Sequence, residues 1–323
     1  MASQPLKWHG GKFYLASWII ENMPPHLHYV EPYFGGGAVL FRKPQRDWMV
    51  NCPHCGKNDQ IEAMFDYEDT GELTHGCLRC RQAGAAYQLV ACYRGCSEIV
   101  NDINGELMNF WLVLSDYRTF AEFHGRLQTT PFSEELFKAA MAGSAPEFKG
   151  VITCDPIERA RIFFIRYRQS RQGLGKDFAT LSRTRTRRKM NEQVSSWLSA
   201  VEGLPEAHER LKRVVILNRD ALDVIKKEDG EKTLFYLDPP YLHETRSSSG
   251  EYGDHEMSRQ GHAKLLLAIT GIKGKFMLSG YHSGLYDNHA RQNGWRREEK
   301  QIDNKASSKS TKEIKTECLW MNY

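Results

Sequence analysis

Residues 233–242, TLFYLDPPYL, constrain the fold more than any other stretch of the chain. Leu234, Phe235, Tyr236 and Leu237 form an unbroken apolar run, the pattern of a strand buried on both faces of a parallel sheet. Pro239 and Pro240 bring no N–H to a sheet ladder, so the strand stops at Asp238. A residue before proline is pushed to extended geometry, which stiffens both Asp238 and Pro239. In open α/β sheets, ligands bind outside the carboxyl ends of strands. A solvated acid in a proline turn is the plainer reading, and the rest of the chain must decide.

Five other segments repeat the theme. Residues 29–41, YVEPYFGGGAVLF, read as a strand, a glycine turn and the start of a helix. Gly35, Gly36 and Gly37 let the backbone turn sharply and lie close to a ligand. Residues 97–105, SEIVNDING, read as a second strand ending on Asp102. Such an acid grips ribose hydroxyls in nucleotide-binding folds, or caps the helix expected near Gly105. Residues 213–222, RVVILNRDAL, give a third strand ending near Asp220, and residues 274–281 and 316–323 give two more. Strands alternating with helices, such as residues 262–272, predict a Rossmann-like α/β sheet covered on both faces. Residues 44–96 and 106–212 interrupt this rhythm, the latter as a helical region without sheet strands.

The chain has 323 residues, enough for one large domain or two smaller ones. Hydrophobic and charged contents of 41% and 26% are those of a soluble globular protein. No apolar run reaches the ~18 residues of a membrane span, and MASQPLKWHG lacks a signal-peptide core. A cytoplasmic protein is expected. The net charge of +4 excludes little, but its distribution is uneven. Between Arg159 and Lys189 the sole acid is Asp177, whereas Arg166, Arg168, Arg171, Lys176, Arg183, Arg185, Arg187, Arg188 and Lys189 are basic. That density favours phosphate contact over a merely solvated helix face. Phe163, Phe164 and Tyr167 fall at helical spacing and are expected in the core.

Eight cysteines in a chain this long point to metal or catalysis rather than disulfide staples. Cys52-x-x-Cys55 and Cys77-x-x-Cys80 have the spacing of a tetrahedral four-cysteine zinc ribbon, with a hairpin turn at Thr70-Gly71. His54 and His75 are weaker ligands, Cys92 and Cys96 are spare, and Cys154 and Cys318 read as buried free thiols.

LKWHGGK, VEPYFGGGAVLF, NDIN, NRDAL, DPPY and ECLWMNY occur in this order. They resemble the motifs of Dam-type (class alpha) DNA adenine N6-methyltransferases, which use S-adenosylmethionine. The likeness covers residues 1–43, 97–110 and 213–323, and implies a methyltransferase core split by a zinc-ribbon insertion at 44–96 and a helical target-recognition region at 111–212. It implies that Trp8, Lys12 and Glu31 help hold the cofactor. Phe34 with Gly35–Gly37 would pass beneath it, Asp102 would bind its ribose and Asp220 would lie near its adenine. Asp238, Pro239, Pro240 and Tyr241 would form the catalytic strand end. The Asp238 carboxylate and Pro239 carbonyl would accept hydrogen bonds from an adenine amine, and Tyr241 would stack on the base once flipped from duplex DNA. Residues 171–178, RQGLGKDF, would be a loop or hairpin at the DNA, a departure from the family's recognition hairpins that leaves the target sequence open. The resemblance also implies a protein monomeric in catalysis, with a cognate restriction enzyme as a candidate partner. The competing readings are an amino methyltransferase of cytosine or RNA, and a catalytically silent zinc and DNA-binding module. Asp rather than Ser at position 238 favours adenine, and the intact DPPY and glycine turn disfavour a silent module. An insertion after the first helix should emerge at the sheet edge opposite the cofactor, which makes the zinc structural.

Overall fold

The computed structural model describes residues 4–44, 50–51, 58–59, 96–143, 155–245, 255–303 and 314–323. Its centre is a seven-stranded sheet. Five strands are parallel: β1 (His28–Glu31), β4 (Ser97–Asn101), β7 (Val214–Leu217), β8 (Thr233–Leu237) and β9 (Lys275–Tyr281). The chain steps outward from β1 to β4 to β7, then returns to the other side of β1 for β8 and β9. That reversal between β1 and β8 is the place where an open sheet leaves a crevice at its carboxyl edge. An antiparallel pair, β10 (Arg296–Asp303) and β11 (Ile314–Met321), closes the sheet beside β9.

Side chains alternate between two cores, as a pleated strand requires. Tyr29, Val100, Leu234, Tyr236 and Met277 face one core, and Val30, Ile99, Phe235, Leu237 and Leu278 face the other. The second core is closed by α9 (Ala221–Glu228), α10 (Arg259–Thr270) and α11 (Gly284–Gln292). The first is closed by α1 (Ala16–Glu21), α2 (Ala38–Arg42) and α3 (Gly105–Ser115), and it continues without a break into the middle of the chain. There α4 (Tyr117–Gln128), α5 (Glu134–Gly143), α6 (Pro156–Arg168), α7 (Glu192–Glu202) and α8 (Leu204–Leu211) pack around Phe110, Phe123, Phe164 and Trp197. The boundary expected at 110–111 therefore falls inside α3, and the middle region shares the core of the sheet.

Two strand assignments differ from expectation. β10 was not anticipated, because RREEKQID offers no apolar run; as the sheet's edge it keeps charged side chains in water. Residues 106–212 do contain strands, the short antiparallel β5 (Thr186–Arg187) and β6 (Met190–Asn191). Their turn carries no Asn-Gly signal. Arg188 and Lys189 themselves adopt left-handed φ values of 54° and 62°.

The expected insertion begins and ends at the amino edge of the sheet. The Lys43 ammonium, just past α2, lies 3.1 Å from the Glu98 carboxylate near the start of β4, and Arg210 of α8 completes a buried triad there. Asp102 lies at the other end of β4. Among the residues between, two short strands are described, β2 (Val50–Asn51) and β3 (Asn58–Asp59), which pair antiparallel. Cys52, Cys55, Cys77 and Cys80, with His54, His75, Cys92 and Cys154, lie outside the described residues. No described helix is long and apolar enough to cross a membrane.

Candidate active site

The carboxyl ends of β1, β4 and β8 open onto one cavity of about 1180 Å³, lined by Trp8, Lys12, Glu31, Phe34, Gly35–Gly37, Asp102, Asp220, Asp238 and Pro240. All nine residues expected to hold a cofactor thus meet in one place. The volume exceeds the upper end of ordinary small-molecule pockets, about 1,000 Å³, and leaves room for a second group beside a cofactor.

The turn after β1 is built for close approach. A Cβ on Gly36 would come within 2.3 Å of the Gln4 amide nitrogen and 2.6 Å of the Trp8 Cβ. Gly35 and Gly37 have φ of 51° and 71°, which side chains with a Cβ rarely adopt. Asp102 clamps this turn. Its Oδ2 accepts from the Gly35 N–H and its Oδ1 from the Asn104 N–H, each at 3.0 Å. It does not cap α3; the Asn104 side chain does, accepting from the N–H groups of Glu106 and Leu107. Asp102 therefore keeps lone pairs for a ligand hydroxyl. Burial pushes its carboxyl up, and the two N–H donors oppose that. Asp220 caps α9 by accepting from the Leu222 N–H at 2.8 Å.

Asn101 was missed by sequence reading. Its amide donates to the carbonyls of Pro32 and Arg219 and accepts from the Arg219 N–H, tying the loops after β1, β4 and β7 together. A polar residue closing the apolar run EIVN was the available signal.

Asp238 stands at the end of β8, facing the cavity. The Lys12 ammonium lies 2.8 Å from its Oδ1 and 3.9 Å from the carboxylate of Glu317 on β11. Burial raises the Asp238 carboxyl, and Lys12 pulls it back down. Glu317 is pushed up to about 7 by burial, with Lys12 and the Tyr241 hydroxyl opposing. Glu31, which accepts from the Tyr29 hydroxyl at 2.7 Å, is pushed up to about 8 by burial. One ammonium thus serves two carboxyl groups, those of Asp238 and Glu317.

Tyr241 is not presented to the cavity. It is 8% exposed, its hydroxyl donates to Glu317, Lys12 sits 4.7 Å over its ring, and Tyr281 packs edge-on against it. Stacking on a base would require this ring to leave its packing.

The wall facing the sheet comes from α6 and the loop after it. Trp8 packs against Tyr167 and Phe163, with centroids at 4.8 and 6.1 Å. Gly173 sits so close to the Lys7 carbonyl that a Cβ would come within 2.3 Å. Residues 171–178 are thus a loop docked on the N-terminal segment, with Gly173, Leu174 and Lys176 lining the cavity. Phe164 is wholly buried, in the core as expected.

The basic residues separate into groups. Arg166 lines the cavity and donates to the Gly175 carbonyl at 2.9 Å. Arg168 donates to the Ser196 carbonyl, and burial pushes it down to about 10. The Arg171 N–H donates to the Asp177 carbonyl, and its side chain is exposed. Arg188 pairs with Glu202 at 2.8 Å and Arg185 with Glu192 at 3.9 Å. Acids from α7 thus supply the partners that the local sequence lacks. Arg183, Arg187 and Lys189 are exposed and have no carboxylate within ion-pair distance among the described residues.

A mostly parallel α/β sheet with a glycine turn, an acid at the end of its second strand and an acid–proline strand end on one cavity defines a cofactor-dependent enzyme site. The family model of the D12 class N6 adenine-specific DNA methyltransferases matches residues 8–59 and 83–304, and the chain belongs to that family. It is also 52% identical over 42 residues to the Type II methyltransferase M.MjaIII of Methanocaldococcus jannaschii. That match spans 11% of this chain and 14% of the relative's length.

Proposed function

We propose that the protein methylates the exocyclic amine of adenine in duplex DNA, using S-adenosylmethionine. The observation that carries this reading is Asp238, fixed by two prolines at a strand end that opens on the same cavity as the glycine turn and Asp102. The residues fit the cofactor: a turn too tight for any Cβ at position 36, a carboxylate with spare lone pairs for ribose, and Asp220 beside them. When bound, S-adenosylmethionine supplies an electrophilic methyl group whose bonding pair leaves with sulfur.

The chain's own part is to make the amine a nucleophile. The Asp238 carboxylate and Pro239 carbonyl accept its N–H hydrogens and favour the positive charge that nitrogen gains on forming its new bond. Because both acceptors are already aimed, little reorganisation accompanies the reaction. Asp238, whose carboxyl burial has raised, takes the proton that the nitrogen sheds. Adenine would reach the cavity by flipping from the stack, and the exposed hairpin with Arg183, Arg187 and Lys189 would lie along phosphates. We assign zinc to Cys52, Cys55, Cys77 and Cys80. The antiparallel ladder of β2 and β3, which brackets Cys52 and Cys55 in sequence, supports that reading.

Transfer of label from S-adenosylmethionine to duplex DNA, followed by nucleoside analysis, tests the proposal. N6-methyladenine is expected. Label in cytosine or in RNA alone, or none at all, would sink it.

A further inference from the structure

Glu317 opens the last of the six motifs, ECLWMNY, but carried no expected site role, and it is a residue that Lys12 and Tyr241 share. It sits on antiparallel β11, opposite Tyr281 of β9, and is 2% exposed. A buried carboxylate needs partners, and its partners are the Tyr241 hydroxyl and the Lys12 ammonium. Lys12 is itself 7% exposed and is held from behind by the Gly10 carbonyl at 2.9 Å. Its ammonium stands 2.8 Å from Asp238 and 3.9 Å from Glu317, so a shift of about one ångström exchanges one carboxylate for the other.

That arrangement poses a problem for the site and contains its solution. An ammonium bound to Asp238 Oδ1 keeps the carboxylate ionised, but it draws charge from the acceptor that the substrate amine must meet. We propose that Glu317 is a positioning residue that receives the Lys12 ammonium when the amine docks, freeing Asp238 as an acceptor without stranding a buried cation. No bond breaks in this step; one ion pair is exchanged for another. The inference rests on the methyltransferase reading of the same site.

The groups facing Asp238 are Lys12 from the N-terminal segment, Glu31 from β1, Tyr236 from β8, Tyr241 from the loop after it, Tyr286 from α11 and Glu317 from β11. Burial pushes the Glu317 carboxyl up to about 7. When it is protonated it cannot receive the ammonium, so the rate should rise with pH through that region.

The test is single-turnover methyl transfer against pH, at saturating DNA and cofactor, for the full-length wild type, Glu317→Gln and Glu317→Asp. Equilibrium binding of S-adenosylmethionine is measured alongside. Glu317→Gln should be slower by about tenfold or more at pH 8, a fraction of what a lost direct contact costs. Its rate should be flat where the wild type rises, its cofactor affinity unchanged, and Glu317→Asp should recover part of the rise. A Gln variant with the wild-type rate and profile overturns the inference. So does a loss of rate that keeps the wild-type rise, or that tracks a loss of cofactor affinity, since either marks a purely structural residue. A wild type that transfers no methyl group to adenine removes the methyltransferase reading, and this inference with it.

Discussion

The ammonium of Lys12 lies 2.8 Å from the carboxylate of Asp238, within a site where both side chains are largely shielded from water. The pairing pulls down the carboxyl of Asp238, the acceptor that the proposed chemistry requires. Without Lys12, burial would be opposed only by the Tyr241 hydroxyl, and the Asp238 carboxyl would rise further. Lys12→Met should therefore move the acid limb of the pH–rate profile to higher pH, with activity partly recovered in alkaline buffer. Asp238→Ala should lose on the order of a hundredfold or more at every pH, while DNA binding persists. A gel-shift titration beside a pH–rate series checks both. A Lys12→Met profile unmoved from wild type would break the link.

Glu31 and Glu317 make a separate claim about stability. Their carboxyls sit at about 8 and about 7 in the folded protein, above the ordinary 4.5. Between that value and the folded ones, the folded state binds more protons than the unfolded chain, so stability falls as pH rises. The cofactor-free protein should lose several degrees of thermal midpoint, roughly, between pH 5 and pH 8. Glu31→Gln and Glu317→Gln should each flatten that slope. Scanning calorimetry across the range gives the answer, and a midpoint that climbs with pH would contradict the burial argument.

The hairpin turn separates stability from binding. Arg188 and Lys189 both hold left-handed backbone, at a cost of about 1 kcal/mol or more each for an L side chain. Replacing them with Asn-Gly should stabilise the hairpin yet weaken DNA affinity, because Lys189 is exposed and unpaired among the described residues. Arg183→Ala and Arg187→Ala should each reduce the log–log salt slope by about one unit. Arg188→Ala should do less, since its guanidinium is already held by Glu202. Equal slopes for all three alanine variants would refute this sorting.

The inserted segment should be separable from the core. Its two ends are held by the buried Lys43–Glu98–Arg210 triad at the amino edge of the sheet. A chain with residues 45–95 replaced by a short glycine-serine linker should fold and retain cofactor affinity, and should lose the one zinc that metal analysis of the wild type is expected to find. Glu98→Gln should instead destabilise the whole protein by about 3 kcal/mol or more, because it leaves two buried cations short of a partner. Chemical denaturation and cofactor titration distinguish these outcomes. Loss of cofactor binding in the linker variant would place the insertion in the active site.

Local patterns in the chain determined the parallel sheet and most of the cavity. The apolar runs before Asp102 and Asp238 read as buried strands, and three successive glycines after β1 marked a sharp turn open to close approach. Those signals are local, because each depends on residues within one strand and its turn. What only the tertiary structure decided depends on residues distant in sequence. Glu317 lies 305 residues from Lys12, and nothing in TECLWMNY marks its glutamate as the second carboxylate for that ammonium. Arg188 looked like a free cation until α7 brought Glu202 against it. Tyr241 looked free to stack until β11 supplied the partner for its hydroxyl. Strand β10 passed unseen because an edge strand keeps its charges in water and needs no apolar face. Charge pairing and exposure are properties of the packed chain, since a carboxylate's partner is whichever cation the fold delivers to it.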